Sequence, residues 1–424
     1  MAFVPPAPSL APPAASLKLG RPSAVRQVAR ADLPLPPVVQ EILARENVCS
    51  ASQLQQPGNR AEVAFLGSRA NMEGPEGLRD FPGGSPAGVW TYGQAMVASL
   101  EHGQLTGDFG HFDAMVDGLE KYREDRGGYG PHSDGQHGRG HRFYDDNAWI
   151  GLAFMQAYEA VPDPLRKAIY LRRAREIFRF LETGLQPDGA MIWTEKARNP
   201  TLNACTEGPA SELALRLYIA TDKAGYLLKG RRLYHHLRDN LLIRSGTRAG
   251  LYADRIDLLS RRRFDDIYSY NQGTPVGAAV LLSQITGRSS YRDEAHQCAR
   301  ASLLYFGQAD RLWKQPPVFN AIYLRNLLPT EPGSLELLRG YGERLWNDAL
   351  DASSGLFDRA APVPLGNYGS KKGIISTIDQ AGIVQIFHLA AFPSTVYSVV
   401  TQAKGLEGDW GLRALGRFHK QGQV

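Results

Sequence analysis

Six stretches of the chain share one grammar: a polar or aromatic cluster, then a run apolar nearly all round, then a short turn into a highly charged amphipathic segment. The openings are "WTYGQAMVASL" (90–100), "DDNAWIGLAFMQAY" (145–158), "CTEGPASELALRLY" (205–218), "YNQGTPVGAAVLLSQ" (270–284), "FNAIYLRNLL" (319–328) and "TIDQAGIVQIFHLAAF" (377–392). With Tyr92, Asn147, Glu207, Asn271, Asn320 and Asp379 as equivalent marks, they recur every 49 to 64 residues. That interval fits one helical hairpin with its connections. The run after Asn147 has no polar stripe before Gln156, and such a helix must be covered on both sides. Its partner differs. In "PLRKAIYLRRAREIFRFLETG" Tyr170, Ala174, Ile177, Phe178 and Leu181 recur at helical spacing, while Arg166, Lys167, Arg172, Arg173, Arg175 and Arg179 fill the other face. Six buried helices alternating with six amphipathic ones close most economically into a double ring with the inner helix starts gathered at one end. The expected fold is therefore all-α, an (α/α)6 toroid.

The toroid is expected to occupy residues 88–424. Gly-aromatic stretches at 127, 188, 249 and 354 predict turns feeding short extended segments on the rim where the inner helices start. Residues 57–88 are rich in Pro and Gly with little periodicity, so 32–87 is read as an irregular N-terminal wrap. Residues 1–31 contain Lys18, Arg21, Arg26 and Arg30 but no acid, and prolines break every apolar run. This composition predicts a disordered or targeting arm, an organelle transit segment of plastid type before a secretory one. The arm carries four of the five net positive charges, which leaves the rest without an electrostatic footprint for nucleic acid. No run of 18 apolar residues predicts a membrane span. Cys49, Cys205 and Cys298 are too few and too scattered for a disulfide framework or zinc site, and are expected as small buried or free thiols.

If the inner helices start together, Trp90, Tyr92, Gln94, Asp145, Asp146, Asn147, Glu207, Asn271, Gln272, Asn320 and Asp379 converge on one opening. Amides and carboxylates bond hydroxyls, and aromatic faces cover the apolar faces of sugar rings, so the funnel suits a carbohydrate. The tandem Asp145-Asp146 admits two readings. Acids at a helix start ordinarily cap it and complement its dipole, together about 1 to 2 kcal/mol. Alternatively, a retaining glycosidase needs two carboxyl groups about 5 to 5.5 Å apart, one charged and one protonated. Neighbouring acids can reach that separation, and their repulsion drives the two pKa values apart.

"YDDNAWIGLAF", "NACTEGPASELALRLYIATDKAGYL", "YSYNQGTPVGAAVLLSQITG" and "FNAIYLRNLL", in this order, resemble glycoside hydrolase family 76, the endo-α-1,6-mannanases, over about residues 88–392. The resemblance implies a six-hairpin glycosidase-like (α/α)6 barrel with Asp145 as nucleophile and Asp146 as general acid/base. On this reading Tyr144, Asn147 and Trp149 are expected to orient the pair and the sugar, Glu207, Asn271, Gln272 and Arg325 to contact neighbouring subsites, and Tyr270 to bind substrate. The family's Phe-Lys-Gly is here Phe319-Asn320-Ala321, and a Gly/His-rich loop, "GGYGPHSDGQHGRGHR", precedes the aspartates. The expected partner is a polysaccharide or oligosaccharide met by a monomer, with no cofactor and no metal.

Other features carry less. Asp265-Asp266 is read as a pair of loop acids. His111, His132, His137 and His141 lack the ordered spacing of a closed metal site, and His235-His236 is read as solvated on an outer helix. No nucleotide-binding or serine-hydrolase motif occurs. Two alternatives stay open: a sugar 2-epimerase-like isomerase, disfavoured because no inner-helix start bears a histidine and His388 lies deep, and a glycan-binding protein without turnover.

Overall fold

The computed structural model describes residues 56–133, 141–195, 200–351, 354–358 and 375–393. The arm at 1–31, residues 32–55 of the expected wrap, Cys49 and His137 lie outside them. The inner helices are α2 (Val89–Thr106), α4 (Tyr144–Ala160), α6 (Ala204–Thr221), α8 (Tyr270–Thr286), α10 (Pro317–Leu327) and α12 (Thr377–Ala391). Around them stand α1 (Pro57–Met72), α3 (Gly110–Leu119), α5 (Pro164–Leu181), α7 (Ala224–Leu241), α9 (Ser289–Phe306) and α11 (Gly333–Asp348). Each inner helix packs on the next, and α12 closes the ring against α2. This is the expected (α/α)6 toroid. Its core lies between the rings, where Phe178, Leu237 and Leu345 of outer helices are buried together with Phe154, Leu213 and Ile386 of inner ones. Backbones approach closely at Gly382, where a Cβ atom would collide with the Val318 backbone.

The stretch expected to be irregular contains the twelfth helix. Pro57 stands at the start of α1, where its missing N–H costs nothing. The helix then seats Ala61, Ala64 and Phe65 against α12, and Arg60 bonds Glu343 of α11 at 2.5 Å. Its buried face is small and includes an arginine, so it shows no clean apolar stripe. The outer partner of the last inner helix is thus supplied from the N-terminal side of the toroid.

The Gly-aromatic stretches fold alike. Gly127, Gly189, Gly250 and Gly355 take positive φ, between +74° and +105°, a region that favours glycine. Two residues later Tyr129, Met191, Tyr252 and Phe357 each pair back onto the segment leaving the outer helix. Their buried backbone groups need partners, and a side chain in the first turn of the next inner helix supplies them. Asn147 Oδ1 accepts from the Tyr129 N–H at 2.7 Å while its Nδ2 donates to the Tyr129 carbonyl at 3.0 Å. Gln272 holds Tyr252 at 2.8 and 3.0 Å, and Gln380 holds Phe357 at 3.0 and 2.8 Å. Glu207 accepts from the Met191 N–H at 3.0 Å. At these four turns one repeat is stitched to the next. Gln272→Ala leaves the Tyr252 pair unmet and is expected to cost about 1 to 3 kcal/mol, read as a lower urea midpoint.

Short strands complete the rim. β1 (Glu73–Gly74) pairs with β2 (Gly77–Leu78), and β3 (Thr201–Asn203), β4 (Arg255–Asp257) and β5 (Arg263–Phe264) form an antiparallel sheet with Leu202 opposite Ile256. Bridges Ile192↔Leu202 and Phe143↔Thr194 extend that ladder to the residue before α4. It brings Trp193 beside the tandem aspartates.

Candidate active site

The N-cap of α4 is Phe143, which has no side-chain oxygen, and Asp145 and Asp146 sit in the first turn without capping it. Compare α5, where Asp163 accepts from the Arg166 N–H at 2.8 Å. Both aspartates are half-buried, and the two meet different surroundings. Asp145 Oδ2 accepts from the Trp193 indole N–H at 2.9 Å and from the Cys205 thiol at 3.4 Å. Its Oδ1 is buried with no hydrogen-bond partner among the described residues. The Asp146 carboxyl has no such donors among the described residues.

Electrostatics follow from this asymmetry. Desolvation pushes Asp145 up to about 6 against the opposing pull of the Trp193 and Cys205 donors. Asp146 lies well above the ordinary carboxylate range, because burial and the neighbouring Asp145 charge act together and nothing offsets them. Asp145 therefore ionises first and Asp146 keeps its proton. Burial also raises the Cys205 thiol, which stays protonated and able to donate. Behind it stands the Tyr270 hydroxyl, and the Asp254 carbonyl accepts from the Ala204 N–H at 2.9 Å, fixing the start of α6.

An aromatic wall stands beside the pair. Trp149, Val318, Phe319 and Ile322 pack together with Trp90, Tyr268, Tyr270 and Ile378. Tyr270 stacks on Phe319 with centroids 3.8 Å apart, and Trp90 lies 5.8 Å from Trp149. Trp90, Tyr268 and Tyr270 stay half-buried, so ring surface is left for a ligand. Of the expected sugar-facing residues, the structure brings Trp90, Trp149 and Tyr270 together here.

Others face elsewhere. Tyr92 turns outward, its hydroxyl donating to the Met115 carbonyl at 2.8 Å and its ring 5.0 Å from Tyr122. Tyr144 stacks on Phe180 and bonds Thr183. Asn147, Glu207 and Gln272 are the fully buried stitches of the rim turns, since a buried backbone amide competes for the same amide and carboxylate chemistry that would bind hydroxyls. Glu207 also holds His236 Nδ1 at 2.8 Å, so that histidine is not the solvated group expected. Asn271 is buried, with its Nδ2 3.3 Å from Asp254 Oδ1. Gln94 and Arg325 lie farther down the axis: Arg325 bonds Glu101 at 2.6 Å and Gln385 at 2.9 Å, and Gln385 donates to the Gln94 carbonyl at 2.8 Å. Asn320 accepts from Ser269 at 2.9 Å, Asp379 from Ser376 at 2.8 Å, and Asp265 pairs with Arg263. His111 is tied to Ser99 and Glu73. Trp193, Cys205 and Asp254 were not anticipated. Trp193 lies in a stretch already placed on the rim, and that placement was the available signal.

Six helical hairpins closed about an axis, with a carboxyl pair and an aromatic wall where the inner helices begin, define a six-hairpin toroid of glycosidase type. Residues 70–327, more than half of the chain, match glycosyl hydrolase family 76. The chain belongs to that family. Similar solved structures include the mannosidase Bt3792 of Bacteroides thetaiotaomicron, 21% identical, covering 79% of this chain and 98% of its own with a TM-score of 0.66. The GH76A α-1,6-mannanase of Salegentibacter sp. HEL1_6 is 23% identical, covering 79% and 99%, with a TM-score of 0.63. A curated relative, the mannan endo-1,6-alpha-mannosidase DCW1 of Candida glabrata, is 26% identical over 177 residues, which span 39% of each chain.

Proposed function

We propose that this protein is a retaining endo-glycosidase cleaving an α-linked, α-1,6-mannose-containing polysaccharide. The observation that carries the reading is the unequal pair: Asp145 ionises first on two donors, and Asp146 keeps its proton without any. The Asp145 carboxylate attacks the anomeric carbon while the Asp146 proton passes to the departing glycosidic oxygen, leaving a glycosyl ester on Asp145. Asp146, now charged, takes a proton from water as that water attacks the same carbon; the ester bond breaks and both groups return to their starting states. The aromatic wall would hold sugar faces alongside. Support for mannan comes from the family and from the Salegentibacter mannanase, whose inactive variant with two adjacent aspartates replaced by asparagine was solved with α-1,6-mannotriose.

The test is digestion of a panel of α-1,6-, α-1,2- and α-1,3-linked mannans and unrelated glucans, with the first-formed product followed by proton NMR. Shortened α-1,6 chains carrying the α anomer are expected; a β-anomeric product rules out Asp145 as nucleophile, and failure to cleave any glycan removes the enzymatic reading. The rate is expected to be bell-shaped in pH. Its acidic limb lies near 6, where Asp145 ionises, and its basic limb lies at higher pH, where Asp146, raised by burial and by the Asp145 charge, loses its proton.

A further inference from the structure

Resting on that reading, we infer that Trp193 and Cys205 are positioning residues that hold Asp145 Oδ2 and leave Oδ1 as the oxygen that attacks sugar. The geometry is one-sided. Both donors reach the same oxygen, at 2.9 and 3.4 Å, and Oδ1 is buried with no partner among the described residues. A carboxylate oxygen already accepting two hydrogen bonds has its lone pairs engaged, whereas its twin keeps them available. The donors come from independent elements, a rim turn and the first turn of α6, so they fix the carboxyl plane from two directions. The Tyr270 hydroxyl stands behind the thiol. Tyr270 is held in turn by its stack on Phe319. Cysteine here serves as a weak, uncharged donor: it orients the carboxylate without neutralising it, whereas a cation would add a full charge to the pair.

Donors to a carboxylate favour its charged form, so their loss moves its ionisation upward. Trp193→Phe keeps the ring and removes the N–H; Cys205→Ala removes the S–H; Cys205→Ser keeps a donor. The expected result is a loss in kcat/KM of roughly 30- to 100-fold for Trp193→Phe and about 5- to 10-fold for Cys205→Ala. In both variants the acidic limb rises, and Cys205→Ser stays within about threefold of native with its limb in place. A second readout does not depend on turnover. The Asp145 carboxyl carbon, labelled with 13C and titrated by NMR in the free protein, is expected to ionise at higher pH in Trp193→Phe and Cys205→Ala than in native protein or Cys205→Ser. If the native protein cleaves no glycan yet these titrations separate, the proposed function fails while the donor role stands. If glycan is cleaved and the limb and titration stay in place in every variant, the inference is overturned, and any fall in rate reflects packing alone.

Discussion

Asp145→Asn is expected to lower α-mannan cleavage by roughly 10^4-fold or more, and Asp146→Asn by roughly 10^2- to 10^4-fold, with helical content unchanged in both. The two losses are expected to differ in kind. An aryl α-mannoside, whose phenolate leaves without a proton, should still glycosylate Asp145 in Asp146→Asn, so that variant accumulates a glycosyl ester visible by intact mass spectrometry. Asp145→Asn has no atom on which to form it. Stability supplies a second signature. Both acids have folded-state pKa values raised above the unfolded one by burial. Their favourable contribution is therefore complete below the unfolded value, about 3.9, and is lost as pH rises through the folded values. An asparagine cannot ionise. Each variant should match the native thermal midpoint near pH 3.5 and exceed it by roughly 2 to 4 °C at pH 8. Equal midpoints at pH 8 would mean that the pair is not strained by its own charge.

Arg325→Met is expected to cost about 3 to 5 kcal/mol. Arg325 was read as a subsite residue, yet it binds Glu101, which is 1% exposed, through two nitrogens at 3.1 and 2.6 Å and also reaches Gln385. Removing the guanidinium leaves the Glu101 carboxyl inside the ring with only His388 beside it, 3.9 Å away and kept neutral by burial. Glu101 must then take up a proton, and the penalty should grow as pH rises. Replacing both groups, Glu101→Leu with Arg325→Met, should recover most of the loss, because a well-packed apolar pair can match a buried ion pair. Urea denaturation of the two single variants and the double variant at pH 6 and 8 checks this. Strict additivity would show that the two side chains do not act as a pair.

The inner ring was legible because burial on all sides removes the polar stripe, and that absence can be read directly: the segments expected from 145, 205, 270 and 377 begin in the structure at Tyr144, Ala204, Tyr270 and Thr377. The helix Pro57–Met72 was not legible, since its buried side mixes Arg60 and Gly67 with Ala61, Val63, Ala64, Phe65 and Met72 in place of a regular apolar stripe. In the site, the tandem aspartates stood out because two acids opening an apolar helix are chemically conspicuous. Asn147, Glu207 and Gln272 were misjudged for a reason of principle. An amide that binds a sugar hydroxyl and one that satisfies a backbone N–H are the same residue type at the same helical position, and only the turn packed against it decides between them. Trp193 and Cys205 were placed on the rim and at an inner-helix start, but their role as donors was not legible. They lie 48 and 60 residues from Asp145 and carry side chains whose ordinary place is in a core.

The ring is closed by segments from opposite ends of the toroid: Gln385 bonds Gln94 across 291 residues, and Thr377 bonds Asp80 and Arg79 across nearly 300. During synthesis the helix Pro57–Met72 leaves the ribosome more than 300 residues ahead of the α12 surface it covers. Until then the part of its buried face that meets α12 has no counterpart and the arc of hairpins keeps an open flank, so closure of the ring waits for α12 to emerge. Over that interval the nascent chain offers an exposed apolar edge to chaperones, and ring closure is a long-range step that local helix formation cannot hasten.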